Sequence, residues 1–176
     1  MAEPFSPAAA CTSAETPHEK KAAELFLGGC ACAQAVFCAF CDVHGLDLHT
    51  AALLSSSLGA GVGRLRQICG AVSGASMVLG LLYGFGIPVT QEDKTEHYAR
   101  VQELAGAFRE RMGSYVCREL LADTLGDENV SDSPAPQART PEYYASRPCL
   151  AAVRTAARLT DEYIASHPYH TEGNKQ

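Results

Sequence analysis

The chain has 176 residues, a formal net charge of −6, 47% apolar residues and 19% charged ones, which favours a single domain whose core needs no structural disulfides. Its 28 Ala and 17 Leu outnumber 10 Val and 3 Ile, so the apolar mass sits in helix formers and the expected fold is all-α, a compact bundle of about six to seven helices with a Gly-rich central helix. The 14 Lys and Arg are scattered through an acidic chain, which excludes the basic footprint of a nucleic-acid binder.

Residues 1–15 carry Glu3, Pro4 and Pro7 where a secretory signal needs a basic start and an unbroken apolar run. They are expected to be a disordered tail on a cytoplasmic protein, in a compartment where thiols stay reduced. Thr16-Pro17-His18-Glu19 combines an N-cap, a Pro at the first helical position and a capping-box acid, and starts a helix that Gly28-Gly29 ends. A second helix is predicted from about Cys30 to His44, stopped by Gly45, and a third from a Thr50 cap through Leu58. Gly59-Ala60-Gly61-Val62-Gly63 is a loop whose glycines permit positive φ or close backbone approach.

A long helix follows from about Cys69 to Tyr83. Residues 68–87 contain no charge and match a bilayer in length. Five glycines weaken their hydrophobicity, and Gly70-x-x-x-Gly74 and Gly80-x-x-x-Gly84 permit close helix packing, so a buried helix is expected and a membrane span is not. Thr90 with Asp93 opens a charged amphipathic helix to Met112 that Gly113 stops. Ser114 is the expected cap of the next helix, through Asp123. Residues 124–147, with Pro134, Pro136 and Pro141, form a long irregular loop. Pro148 begins a final helix to about Ser166, which completes one domain over 16–166, and 167–176 form a second disordered tail.

Eight cysteines are more than an ordinary cytoplasmic chain carries and too few for a disulfide scaffold. On the second predicted helix, Cys30, Cys38 and Cys41 share one side while Cys32 lies about 200° away from Cys30, and about 12 Å of rise separates Cys30 from Cys38. The first three are expected to be buried packing thiols, and Cys11 in the tail is incidental. Cys38-Ala39-Phe40-Cys41 has redox-motif spacing but no βαβ context, and Asp42 stands where haem attachment needs His.

Cys32, Cys69, Cys117 and Cys149 each fall in or beside the first turn of a predicted helix. Free first-turn amides and the positive dipole end favour thiolate there, and Arg64, Arg66, Arg118 and Arg147 lie nearby in sequence. Thiolate is the form that binds metal or attacks a disulfide.

Cys32-Ala33-Gln34-Ala35-Val36, then Gly63 to Gly74 with Cys69-Gly70-Ala71-Val72-Ser73-Gly74, then Gly113-Ser114-Tyr115-Val116-Cys117-Arg118-Glu119-Leu120, then Cys149 resemble, in order, the C_GCAxxG_C_C family of redox-active proteins. The resemblance covers about residues 18–165. It implies a small helical protein whose four family cysteines map onto Cys32, Cys69, Cys117 and Cys149, supported by Gly63, Gly70, Gly74 and Arg118. A related domain occurs in split-Soret cytochromes, which implies an iron-sulfur cluster or other metal. The chain departs from the pattern in its extra thiols Cys30, Cys38 and Cys41 and in the Pro-rich stretch before Cys149.

Three functions follow as expectations. The first is an electron-transfer protein in which the four thiolates bind an iron-sulfur cluster or other metal, with a redox partner protein and a homodimer among its assemblies. The second is a metal-free thiol-disulfide protein that uses two of the four, with oxidoreductase activity open and catalytic residues unassigned. The third is a helical interaction module. No haem and no nucleotide site is expected, because the Gly59–Gly63 loop lacks the P-loop Lys and follows no strand. The histidines at 18, 44, 49, 97, 167 and 170 form no ligand-like pair and are expected at the surface.

Overall fold

The computed structural model describes residues 14–169; Cys11, His170 and most of both predicted tails lie outside them. Seven helices of eight residues or more carry the fold: α1 (Pro17–Leu27), α2 (Cys32–Ala39), α4 (Leu48–Ser55), α6 (Gly70–Tyr83), α7 (Gln91–Met112), α8 (Cys117–Leu125) and α10 (Cys149–Ser166). The shorter α3 (Cys41–His44), α5 (Gly59–Val62) and α9 (Pro141–Ala145) are single turns between them. The fold is all-α, and no helix among the described residues is long and apolar enough to cross a membrane.

The sequence signals for helix ends act as expected at several points. Thr16 and Glu19 form the reciprocal capping box of α1, Thr90 and Asp93 that of α7, and Gly45 closes α3 in the left-handed conformation. Elsewhere a competing hydrogen bond moves the boundary. The predicted helix 30–44 breaks at Phe40, whose φ of −97° and ψ of 18° interrupt α2 and α3, and Cys30 lies before α2 in the turn that follows α1. Asp47, not Thr50, caps α4, because its carboxylate accepts from the Thr50 amide. Ser114 does not cap α8: its hydroxyl accepts from the Val116 amide and donates to Glu119, so α8 starts three residues later.

α2 is the centre of the bundle, packed by α1, α4, α6 and α10. Its Ala33, Ala35, Val36, Phe37 and Ala39 are all buried, and one core joins it to Phe26 of α1, Val78 of α6, Phe108 of α7 and Tyr163 of α10. α6 reaches α2 through glycine: a Cβ on Gly74 would lie 2.6 Å from the Ala33 carbonyl oxygen, and one on Gly70 would lie 3.2 Å from the Ala33 nitrogen. The second glycine pair does not act this way. Gly80 meets nothing within 4 Å, and Gly84 forms the C-terminal cap of α6.

His18 also departs from expectation, because it is held between helices. Its ring stacks on Phe40, Nδ1 lies 2.5 Å from Asp161, and Nε2 lies 3.2 Å from Asp42. The Asp161 hydrogen bond outweighs burial and raises the His18 pKa. A group whose folded pKa is raised stabilises the fold fully below its unfolded value and loses that contribution as pH rises through the folded one. Wild-type melting temperature is therefore expected to fall between about pH 6 and 8 by more than in His18→Gln. Parallel melting curves for the two proteins would contradict this.

At the described ends, Glu15 pairs with Arg154 and the Tyr83 hydroxyl donates to the His167 carbonyl at 2.7 Å. The adjacent residues 15 and 167 are thus tied to the bundle.

Candidate functional site: a four-thiol cavity

Four helices deliver one cysteine each to a cavity of about 300 Å³. Cys32, Cys117 and Cys149 are the first residues of α2, α8 and α10, and Cys69 is the N-cap of α6. The helix-start placement read from the sequence thus holds for all four, and the fold brings them together.

Local chemistry fixes each position. Gly29, at φ 110°, turns the chain out of α1, and the Gln34 side chain accepts from the Ala31 amide while donating to the Ala52 carbonyl, which locks the start of α2 onto α4. Cys69 and Cys117, 48 residues apart, become neighbours because residues 66–69 run antiparallel to 115–118. The Cys69 amide donates to Tyr115, the Cys117 amide to Gln67 and the Arg118 amide to Arg66. The glycine loop folds beneath this pairing. Gly61 has φ 72°, and a Cβ there would lie within 2.8 Å of Gln67, Arg66 and the Cys117 Cβ, so only glycine fits.

The loop 124–147 is mostly irregular, as expected, but its 131–139 stretch is tied across the cavity as a strap. Arg66 Nε donates to the Ser131 carbonyl at 2.8 Å and Arg64 to that of Ser133. Arg139 donates to the carbonyls of Phe26 and Cys30, satisfying the end of α1, and Arg147 reaches Gln137. Pro134, Pro136 and Tyr143 complete the wall. Arg139 and Tyr143 were not singled out from sequence. The available signal was Thr140-Pro141, the same cap-and-Pro start as Thr16-Pro17, which marks α9 inside the loop.

The expectation that helix starts favour thiolate at all four positions is corrected. The Cys69 sulfur does receive the Ala71 and Val72 amides, yet burial dominates and pushes its pKa up to about 12. Burial also raises Cys117, against the pull of the Arg66 guanidinium, whose Nη1 lies 4.0 Å from the sulfur. Cys32 is raised well above the ordinary thiol range, first because it donates a hydrogen bond to Cys149 and then by burial. Cys149 alone moves down, to about 7: it accepts the Cys32 hydrogen bond, and Arg147, Arg66 and Arg139 surround it. The interaction between the two groups leaves the proton on Cys32 and the charge on Cys149, the one that faces the arginines.

In reduced, metal-free protein, alkylation of Cys149 is accordingly expected to rise with pH around a midpoint near 7 and to run ahead of Cys69 and Cys38. Iodoacetamide labelling resolved by peptide mass checks this. Labelling of Cys38 ahead of Cys149 would contradict it.

Cys30, Cys38 and Cys41 form a separate group. Cys38 is buried in the core and pushed up to about 11 by burial and by the nearby Cys41 and Cys30, whereas Cys30 and Cys41 are only half-buried, unlike the expectation for them. Of the supporting residues, Gly63 lines the cavity and Gly70 and Gly74 seat α6 on α2. Arg118 does not reach the cavity: it pairs with Asp127 at 3.2 Å on the surface.

No group of three or more His, Cys, Asp and Glu among the described residues is arranged to hold a metal ion. Four cysteine sulfurs are a donor set that both zinc and iron-sulfur clusters take.

No match was found among curated proteins or among solved structures. Residues 30–163 match the family described as "Putative redox-active protein (C_GCAxxG_C_C)". That match spans the described helices from the turn before Cys32 to the last turn of α10, encloses all four cavity cysteines, and shows that the chain belongs to the C_GCAxxG_C_C family.

Proposed function

We propose that Cys149 and Cys32 are a dithiol/disulfide couple set in the four-thiol cavity. The observation that carries this is their placement: both open helices onto the one cavity, and the interaction between them holds the proton on Cys32 and the charge on Cys149. Exchange needs an attacking thiolate near ambient pH and a second thiol to resolve the product, and Cys149 and Cys32 take those roles in this reading. Cys149 attacks a disulfide of the oxidant and forms a mixed disulfide, and Cys32 then attacks Cys149, closing the protein disulfide and releasing the second thiol. Cys69 and Cys117 lie on the same wall as protonated thiols.

Equilibration with thiol/disulfide buffer tests this. The expected result is one two-electron transition with two thiols lost per chain; loss of none of the four cavity thiols would overturn the reading.

A second reading is favoured by the convergence of all four cysteines on one cavity. Once deprotonated, the four cysteines would hold an iron-sulfur cluster, which would supply one-electron transfer. Iron and acid-labile sulfide in anaerobically purified protein, with the visible absorbance of a cluster, would establish that reading in place of the first.

A further inference from the structure

The cavity carries an excess of positive charge that the couple does not need. Arg64, Arg66, Arg139 and Arg147 all line it, and among the described residues none of the four pairs with a carboxylate. Paired arginines elsewhere on the molecule set the contrast: Arg111 reaches Glu162 at 2.7 Å and Arg158 reaches Glu19 at 2.6 Å. The cavity arginines instead donate to backbone carbonyls of 131, 133, 26 and 30, to the Gln137 side-chain oxygen and, from Arg66, to the Cys117 sulfur, which leaves most of the five N–H donors of each guanidinium uncommitted. Burial and the neighbouring Arg66 and Arg147 charges disfavour the Arg64 cation, so the cavity holds like charges together in a chain of net charge −6. One thiolate at Cys149 balances one of them.

We infer that this cavity is an anion site, and that the oxidant taken by the Cys149–Cys32 couple is a small disulfide bearing carboxylates. The inference rests on the reading of that pair as the redox couple. Guanidinium is the side chain that pairs with carboxylate in two parallel hydrogen bonds, and it stands here beside the sulfur that attacks. The size argues for a small molecule: about 300 Å³ is at the low end of ligand pockets, and Pro134, Pro136 and Gln137 form part of the wall. The reaction balances. The Cys149 thiolate bonds to one substrate sulfur, the substrate S–S bond breaks, and the leaving half takes a proton from water. Cys32 gives up its proton, its sulfur bonds to Cys149, and the second half leaves as a thiol. Two protein thiols lose two electrons and the substrate disulfide gains them.

The test compares three disulfides of similar length on the reduced, full-length protein: the dianion 3,3′-dithiodipropionate, the neutral 2-hydroxyethyl disulfide and the dication cystamine. Formation of the Cys32–Cys149 disulfide is expected to be roughly tenfold or more faster with the dianion than with the neutral compound and slowest with the dication, with the preference shrinking at high salt. In Arg139→Gln and Arg147→Gln the ratio of dianion to neutral rates is expected to fall toward one. That ratio discounts any general change in Cys149 reactivity.

A ratio near one in the wild type, with the couple still forming, overturns the anion site and leaves the redox reading standing. If no disulfide forms with any probe, the redox reading fails. Calorimetry with the non-exchanging thioether 3,3′-thiodipropionate then decides the anion site alone. Salt-sensitive binding weakened in Arg147→Gln supports it; no binding, or binding of inorganic phosphate in its place, overturns the carboxylate site.

Discussion

Replacing Gly74 with leucine is expected to lower stability by about 3 kcal/mol, or roughly 6–12 °C in melting temperature for a domain of this size. The obstacle is backbone, which has no rotamer to yield. Even a Cβ at 74 would meet the Ala33 carbonyl oxygen at 2.6 Å, the Val36 Cβ at 3.1 Å and the Ala33 Cα at 3.2 Å. α6 must therefore lift off α2, and Cys69 and Cys32 sit at the adjacent ends of those two helices. The same variant is expected to separate the cavity thiols as well as destabilise the core. Gly80→Leu, with nothing within 4 Å of its Cβ position, is the control that keeps the wild-type stability within about 1 kcal/mol. Equal melting of Gly74→Leu and wild type would contradict the packing described.

Cys149→Ser is expected to reduce disulfide exchange at the cavity at least a hundredfold near pH 7, because burial keeps the remaining cavity thiols protonated there. Cys69, pushed to about 12 by burial, is thiolate at about one part in 10⁵ at pH 7. Cys32→Ser is expected to fail differently. Its Cys149 still attacks but nothing resolves the product, so a mixed disulfide accumulates on Cys149. The contrast between no adduct and a trapped adduct, read by intact mass after exposure to 2-hydroxyethyl disulfide, assigns the two roles. A trapped adduct in Cys149→Ser instead would reverse them.

The parts of this molecule that sequence discloses are those set by neighbours along the chain. Thr16 with Glu19, Thr90 with Asp93, and Gly45 and Gly113 as terminators act through hydrogen bonds and backbone angles within four residues, and they appear where expected. The placement of four cysteines at helix starts is of the same kind. What sequence could not disclose depends on contacts across the fold. Ser114 looks like a cap until its hydroxyl is engaged by Glu119 and Val116, and His18 looks like a surface residue until Asp161, 143 positions away, arrives at 2.5 Å. Thiol protonation is the sharpest case. First-turn amides predict a lowered pKa at Cys69 and are present, but desolvation, a tertiary quantity, exceeds them. The Arg139 strap has the same origin, since its anchors on Phe26 and Cys30 lie more than a hundred residues away.

The division of the thiols into two groups also follows from local geometry that the tertiary fold adjusts. The break at Phe40 and the position of Cys30 before α2 leave Cys30 and Cys41 near Cys38, while Cys32 turns toward the cavity. Cys38-x-x-Cys41 has the spacing of a redox motif, yet Cys38 is buried and held protonated.

Mapping of the disulfide formed when the reduced chain meets a limiting amount of oxidant tests the central claim most directly. Free thiols are blocked at low pH, the chain is digested without reduction, and cross-linked peptides are identified by mass. The account predicts a single dominant link between the peptides of Cys32 and Cys149, with Cys69 and Cys117 recovered as free thiols. A dominant link between Cys38 and Cys41, or between Cys30 and Cys38, with Cys32 and Cys149 both blocked as free thiols, would contradict it.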